Sequence, residues 1–398
     1  RIGIQGYEVP KAQLPSANLV FLIDVSGSMH SPDKLPLLKQ ALGMLTQNLS
    51  AKDTISMVVY AGASGVVLPP TRGNQKPRIL GALNQLEAGG STNGAAGLRL
   101  AYQMAQQNFQ RNGVNRVILA TDGDFNVGQA STEELIDMIQ RKRQAGIALT
   151  TLGFGSGNYN DHMLEQLADE GNGNHAYIDR LSEAQKVLVD ELSSTLLTIA
   201  KDVKIQIEFN PSTVSEYRLI GYENRILNEE DFNNDKIDAG EIGAGHRVTA
   251  IYEISLLGSG FQRIPDRRYG KNSDIDDDRR LVAIQSMNDE LAHLRIRYKK
   301  PGQDQSRLIE APIMRSTVLA QTSQASDNFR FAAAVAAFGQ KLRGGQFLES
   351  LDYPEIADLA RNARGQDYFG YRSEFVQLVS LAEILDTNEN VANTRVRD

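Results

Sequence analysis

The chain has 398 residues, of which 41% are hydrophobic and 23% charged, a composition typical of folded globular domains and a length that predicts two or more of them. Its net charge of −7 argues against non-specific binding to nucleic acid or to anionic lipid, because both require a basic surface. The absence of cysteine excludes disulfides, thiolate metal sites and cysteine nucleophiles.

Strands and helices are predicted to alternate from residue 19 to about residue 197. Short apolar runs such as "LVFLI", "TISMVVYA", "RVILAT" and "IALTTLGFG" are typical of strands covered on both faces. Segments between them, such as "KLPLLKQALGMLTQNL" and "TEELIDMIQRKRQAG", have helical spacing. The pattern predicts an α/β domain over residues 16–200 with a doubly wound, mostly parallel sheet. A last helix is predicted from Ser182 to Ala200 and is expected to join this domain to the next.

The pattern changes after residue 200. "VKIQIEF", "RVTAIYEISL" and "HLRIRYKK" alternate strictly, as half-exposed antiparallel strands do, and predict a β-rich domain over residues 201–315. The N-terminal stretch "IGIQGYEV" has the same style, so residues 1–15 are expected to pair with that domain and the α/β domain to be inserted in it. Residues 316–398 are predicted to be helical and to pack on the β-rich domain.

Three polar loops follow predicted elements of the α/β domain. They are "DVSGS" after the first buried strand, "GGSTNG" before a helix, and "TDGD" after "RVILAT". Because ligands of open α/β sheets bind at the carboxyl ends of the strands, we expect these loops to converge. Together they offer two carboxylates and three hydroxyls: Asp24, Ser26, Ser28, Thr92 and Asp122. Such hard oxygen ligands favour Mg²⁺, with Ca²⁺ or Mn²⁺ as substitutes, over zinc.

The order Asp-x-Ser-x-Ser, then Thr, then Asp resembles the metal-ion-dependent adhesion site of a von Willebrand factor type A domain, whose fold is Rossmann-like. The resemblance implies that Ser26, Ser28 and Thr92 bind the metal directly or nearly so. Asp24 and Asp122 would act largely through waters. It also implies that an acidic residue of a partner protein completes the coordination. We therefore predict a metal-dependent protein-binding module for adhesion or scaffolding.

The whole chain also resembles the bacterial YfbK-like proteins. The similar segments are "TDGDFNVG", "DKIDAGEIGAGHRVTAIYEI" and the C-terminal helices. Members of that family are generally envelope-associated and often exported lipoproteins. The resemblance implies a periplasmic or surface-exposed location in the bacterial cell envelope, with a lipid anchor upstream of Arg1.

Two other functions remain open, although we expect no enzyme. A Mg²⁺-dependent hydrolase would use Asp24 as nucleophile or base. Enzymes that transfer phosphoryl groups in this way usually have a second acidic residue at the position of Ser26, and no lysine is evidently placed to assist. "GGSTNG" has Ala95 where a phosphate-binding loop needs lysine. The five histidines form no pair with metal-ligand spacing: residues 30, 162, 175, 246 and 293. A structural envelope protein with a stabilising metal is the third possibility.

A second acidic stretch, "NEEDFNNDKIDAGE", begins with the spacing of an EF-hand loop. Lys236 replaces the required glycine and Ile242 the final glutamate. Two interpretations stay open: an acidic surface loop, or a calcium loop of another type that uses Asp231, Asp235, Asp238 and Glu241.

Overall fold

The computed structural model describes residues 1–10, 13–61, 64–91, 94–123, 131–156, 159–191, 197–222, 226–237, 239–264, 289–348 and 351–395, with side chains as far as 386. Among these residues, no helix combines the length and the apolar character needed to cross a bilayer.

The α/β domain is built on a six-stranded sheet of order β4-β3-β2-β5-β6-β7. Its strands are parallel except β4, which runs antiparallel to β3. The strands are β2 (Ala17–Asp24), β3 (Thr54–Tyr60), β4 (Ser64–Arg72), β5 (Val114–Thr121), β6 (Ala148–Phe154) and β7 (His175–Ile178). The central strand β2 is buried along its whole length, which explains its continuous apolar sequence.

Helices cover both faces of this sheet. The helices are α1 (Leu35–Asn48), α2 (Lys76–Asn84), α3 (Gly94–Gln107), α4 (Thr132–Gln144), α5 (Asp161–Glu170) and α6 (Leu181–Gln185). Leu19, Phe21 and Ile23 of β2 pack with α1, α2 and α6, whereas Val20 and Leu22 pack with α3, α4 and α5. The prediction of a doubly wound, mostly parallel α/β fold is confirmed.

The remaining strands form two antiparallel sheets, of order β1-β11-β9 and β10-β8-β12-β13. These strands are β1 (Ile2–Gln5), β8 (Thr198–Phe209), β9 (Val214–Ile220), β10 (Gly240–Gly243), β11 (Arg247–Leu256), β12 (Glu290–Lys299) and β13 (Ser306–Met314). The N-terminal strand β1 pairs with β11, from Ile2 opposite Ala250 to Gln5 opposite Arg247. The chain thus places its first strand beside one that follows the α/β domain.

Three helices form the C-terminal region: α7 (Asp327–Leu342), α8 (Tyr353–Arg361) and α9 (Tyr371–Arg395). Ala334, Ile356 and Val379, one from each helix, lie in a shared apolar core. Ser326 caps α7 by accepting a hydrogen bond from the Phe329 amide. Asp352 caps α8 by accepting one from the Glu355 amide.

The helix predicted over Ser182 to Ala200 is wrong in its second part. Helix α6 ends at Gln185 and is followed by a π-helical turn to Asp190. Residues 192–196 lie outside the described residues. At Thr198 the chain is already a strand, because Thr198 and Ala200 pair with Gly243 and Ile242 of β10. The apolar spacing of this segment fits a helix, but pairing with β10 makes its last residues a strand. The residues described on either side of 192–196 therefore do not form one continuous helix between the two domains.

Candidate metal centre

Asp24 is the last residue of β2, at the carboxyl end of the sheet, and its side chain is fully buried. Oδ1 accepts a hydrogen bond of 2.8 Å from the Ser26 amide. Oδ2 accepts one of 3.1 Å from the Tyr60 hydroxyl and one of 3.0 Å from the Thr121 hydroxyl. These donors fix the carboxylate but carry no charge. Among the described residues, Asp24 forms no ion pair that would offset the burial of its negative charge.

The hydroxyls of Ser26 and Ser28 lie on the turn that follows Asp24, with their Oγ atoms 3.0 Å apart. Two oxygen ligands at right angles around Mg²⁺, each about 2.1 Å from the ion, lie about 3.0 Å from each other. The serine pair therefore has the spacing of adjacent ligands of an octahedral ion. Ser28 is exposed at the surface, so such an ion would be open to other molecules.

The second predicted loop is held against the first by backbone hydrogen bonds. The Gly27 amide donates to Gly90 O at 3.1 Å, and the Gly89 amide donates to Val25 O at 2.7 Å. Thr92 lies outside the described residues, as does Asp124. Ser91 and Gly94, which flank the undescribed pair, place the loop at the start of α3 and beside the serine turn.

Asp122 directly follows β5 and is 6% exposed. Its Oδ2 accepts a hydrogen bond of 2.9 Å from the ammonium group of Lys34. The same ammonium donates to Ser28 O at 3.1 Å. Sequence reasoning found no lysine placed to act at this site. The signal that could have found it is the position of Lys34 just before α1, six residues after Ser28.

The aliphatic part of Lys34 lies against Gly155, just beyond the end of β6. A Cβ atom at residue 155 would be 2.4 Å from Lys34 Cε, and the residue has φ +76°. Glycine is required there by both the contact and the backbone conformation. The loop after β6 therefore forms a further wall of the site and fixes the lysine side chain beside Asp122.

The charges of the site favour a cation. Burial raises the pKa of Asp24, and the Asp122 charge raises it further, although hydrogen bonds from Ser26 and Thr121 act in the opposite direction. Two buried carboxylates face one lysine. The hydroxyl spacing and this charge excess together fit a divalent ion held by Ser26 and Ser28, with the carboxylates behind them. Within the described residues, no cluster of three or more acidic or histidine side chains could hold a metal, so hydroxyls and water would have to supply ligands.

His175 forms a polar cluster next to this site that sequence reasoning missed. Its Nδ1 lies 2.8 Å from the Thr151 hydroxyl, and its Nε2 lies 2.9 Å from Asp161 Oδ1 and 3.0 Å from the Tyr159 hydroxyl. The arrangement is similar to a nucleophile–histidine–acid triad. However, Thr151 is fully buried and its hydroxyl donates to Leu164 O. The threonine therefore has neither access to a substrate nor a free proton to lose, and the cluster is structural.

The described carboxylates of the second acidic stretch point to different places. Asp235 pairs with Arg297 at 3.1 Å, and Asp231 Oδ2 accepts from Asn228 at 3.2 Å. Glu241 Oε1 accepts from Asn172 of the α/β domain at 2.8 Å. Asp238 lies outside the described residues. These contacts favour structural roles over a shared calcium ion.

Comparison with known proteins agrees with this architecture. Residues 18–191 match the von Willebrand factor type A domain family, and residues 194–385 match the family described as "Uncharacterized protein YfbK, C-terminal". The chain therefore contains a von Willebrand factor type A domain, joined to a C-terminal domain of the YfbK type. Domains of the first type typically mediate protein interactions or adhesion.

Among individual relatives, the chain is similar to the uncharacterized protein YfbK of Escherichia coli (strain K12). The two are 46% identical over 384 residues, which make up 96% of this chain and 64% of that protein. The chain is also 26% identical over 262 residues to human inter-alpha-trypsin inhibitor heavy chain H3, covering 60% of this chain and 28% of that protein. This chain thus spans less than two thirds of either relative.

Among solved structures, the chain is similar to a von Willebrand factor type A protein from Catenulispora acidiphila. The match covers 92% of this chain and 82% of that one. The TM-score is 0.48 and the identity 14%.

Proposed function

We propose that this protein is a divalent-metal-dependent protein-binding module. The observation that carries the proposal is the serine pair, with its 3.0 Å spacing, lying beside two buried carboxylates at the carboxyl end of the sheet. Ser26, Ser28 and Thr92 would hold the ion, and Asp24 and Asp122 would support it, largely through water.

Bound Mg²⁺, or Ca²⁺ or Mn²⁺ in its place, would supply an electrophilic position for an acidic residue of the partner. Several residues of the site have separate roles in presenting it. Tyr60 and Thr121 fix Asp24 from below, while the exposed Ser28 opens the site to the surface. One ion–carboxylate contact rarely supplies a whole interface, so the surrounding loops must provide most of the affinity and specificity.

Binding is a better account of this geometry than hydrolysis. Asp24 is fully buried behind the serine turn, which places it poorly for attack on a substrate.

The resemblance to YfbK-like proteins also leads us to propose a location in the bacterial cell envelope, and this decides where a partner should be sought.

The test is capture of envelope proteins on the immobilised chain in millimolar Mg²⁺ or in EDTA. We expect a partner that is retained only with metal, and lost in Ser28→Ala. Ser31→Ala is the matched control, because the Ser31 hydroxyl donates a hydrogen bond to Asp33. Equal retention in EDTA, or by Ser28→Ala, would contradict the proposal.

A further inference from the structure

A cavity of about 540 Å³ lies at the opposite end of the α/β sheet, where the strands begin, and several charged side chains line it. The first residues of β5 and β6 and the turns at Gly146 and Asn172 form one wall. Thr198 and Lys201 of β8 and Glu241 of β10 form the other. The cavity therefore lies between the α/β domain and the β-rich domain and is remote from the metal centre.

Arg116 of β5 lines this cavity and is only 3% exposed. Its Nη1 donates a hydrogen bond of 2.6 Å to the Thr150 hydroxyl. Its Nε has no hydrogen-bond partner within the described part of the chain. A buried guanidinium is normally paired with a carboxylate or a similar anion, because desolvation of an unpaired charge is unfavourable. In the described part of the chain, the guanidinium of Arg116 has a hydroxyl where such an anion would be expected.

The other charges of the cavity do not supply the missing anion. Arg143 and Lys201 add two cations, and Glu241 is the single carboxylate among the described lining residues. Glu241 accepts hydrogen bonds from Asn172 at 2.8 Å and from Thr198 at 3.1 Å, and lies 3.9 Å from Lys201 Nζ. Its charge reaches Arg116 only at longer range, and burial still lowers the pKa of Arg116 to about 10.

A local excess of positive charge is notable in a chain whose net charge is −7. The planar guanidinium of arginine matches carboxylate and phosphate oxygens, which it binds through two parallel N–H groups. The cavity volume exceeds that of a phosphate ion, so an anion could enter with some of its water. Lys201 keeps 44% of its side chain exposed, which leaves the cavity accessible from the surface.

We propose that this cavity binds a small oxyanion, a phosphate or carboxylate group, against Arg116, with Arg143 and Lys201 completing the site. Because its walls come from both domains, a bound anion stabilises their contact and shifts the protein towards the docked arrangement. This site is separate from the metal centre, and its ligand needs no divalent ion.

Calorimetric titration of the full chain with inorganic phosphate and, separately, with acetate tests this site. Both are performed in EDTA and at constant ionic strength adjusted with chloride. We expect saturable binding by at least one of the two anions and a matching rise in Tm. Affinity should fall at least tenfold in Arg116→Gln and severalfold in Lys201→Gln. It should be unchanged in Arg78→Gln, which removes an exposed arginine of α2. Phosphate is excluded from protein surfaces and stabilises many proteins non-specifically, so these variants are essential.

The outcomes separate clearly. Binding of phosphate alone assigns a phosphate-bearing ligand, and binding of acetate assigns a carboxylate. Absence of saturable binding of both anions would overturn the proposal, as would equal affinity in the wild type and Arg116→Gln. If Arg116→Gln does not fold, Arg116→Lys keeps the charge without the two-pronged geometry. Undiminished affinity in both Arg116→Lys and Lys201→Gln would then reject the site.

Discussion

Lys34 and a divalent ion compete for the same carboxylate at the metal centre. The ammonium lies 2.9 Å from Oδ2 of Asp122, and an ion that uses Asp122 must share that oxygen or displace the lysine. Lys34→Met keeps the length of the side chain and removes its charge. We expect Mg²⁺ to bind about tenfold more tightly to this variant, a change of about 1.4 kcal/mol in binding free energy, as measured by calorimetry.

Lys39→Met is the control for this experiment, because Lys39 donates to the backbone at Asn84 and Leu86. Its Mg²⁺ affinity should equal that of the wild type. If Lys34→Met binds Mg²⁺ no better than the control, the lysine does not oppose the metal.

The raised pKa of Asp24 gives a pH dependence with a definite sign. Its folded-state pKa lies above the ordinary value of about 4, so the protonated carboxyl favours the folded state. That contribution is complete below the unfolded pKa and is lost as pH rises through the folded pKa. In EDTA, Asp24→Asn should therefore gain stability relative to the wild type as the pH rises above about 4. The free energy of unfolding is measured in urea at several pH values. If it changes with pH by the same amount in Asp24→Asn and in the wild type, this assignment is contradicted.

The sequence could place some residues of the site but not others. Asp24 and Asp122 follow apolar runs that became neighbouring parallel strands, and strand ends meet by the geometry of the sheet. Lys34 reaches Asp122 through a long flexible side chain whose direction depends on Gly155, far away in sequence. His175 and Tyr159 likewise meet only after the loops have packed. Such contacts have no periodic signal.

At the level of elements, α3 approaches the sheet closely beside the metal centre. A Cβ atom at Gly97 would lie 2.8 Å from Tyr60 Cβ and 3.0 Å from Leu22 Cδ1, and Tyr60 in turn supports Asp24. We expect Gly97→Ala to lower the free energy of unfolding by about 1–3 kcal/mol, because overpacking outweighs the gain in helix propensity. Urea unfolding measures this change.

Gly81→Ala is the matched substitution in α2, where a Cβ atom would meet nothing within 4 Å. It should leave stability unchanged or raise it by as much as about 1 kcal/mol. Equal effects of the two substitutions would mean that α3 has room to move away from the sheet.

Element boundaries were harder to predict than element types. The alternation of strands and helices was readable because burial on two faces demands apolar runs. The helix prediction from Ser182 to Ala200 failed at its end because the apolar spacing fits a helix. The pairing that makes Thr198 a strand residue involves Gly243 of β10, far along the chain.

At the scale of the molecule, the first strand belongs to a sheet completed far later in the chain. Removing residues 1–7 would leave the backbone of β11 unpaired along one edge. We expect hydrogen exchange to accelerate in β11 and β9 and to stay slow in β2 and β5, which lie in a separate sheet. Unchanged exchange in β11 would show that β1 adds little to that sheet.

The central claim is that the serine turn, Asp24 and Asp122 bind a divalent ion. Its most direct test is calorimetric titration of Mg²⁺, Mn²⁺ and Ca²⁺ into the metal-stripped protein, with Ser31→Ala as the control variant. We predict saturable binding of one ion, retained in Ser31→Ala and lost when Asp24→Ala is combined with Ser26→Ala. Absence of binding at millimolar metal, or binding that persists in the double variant, would contradict the claim.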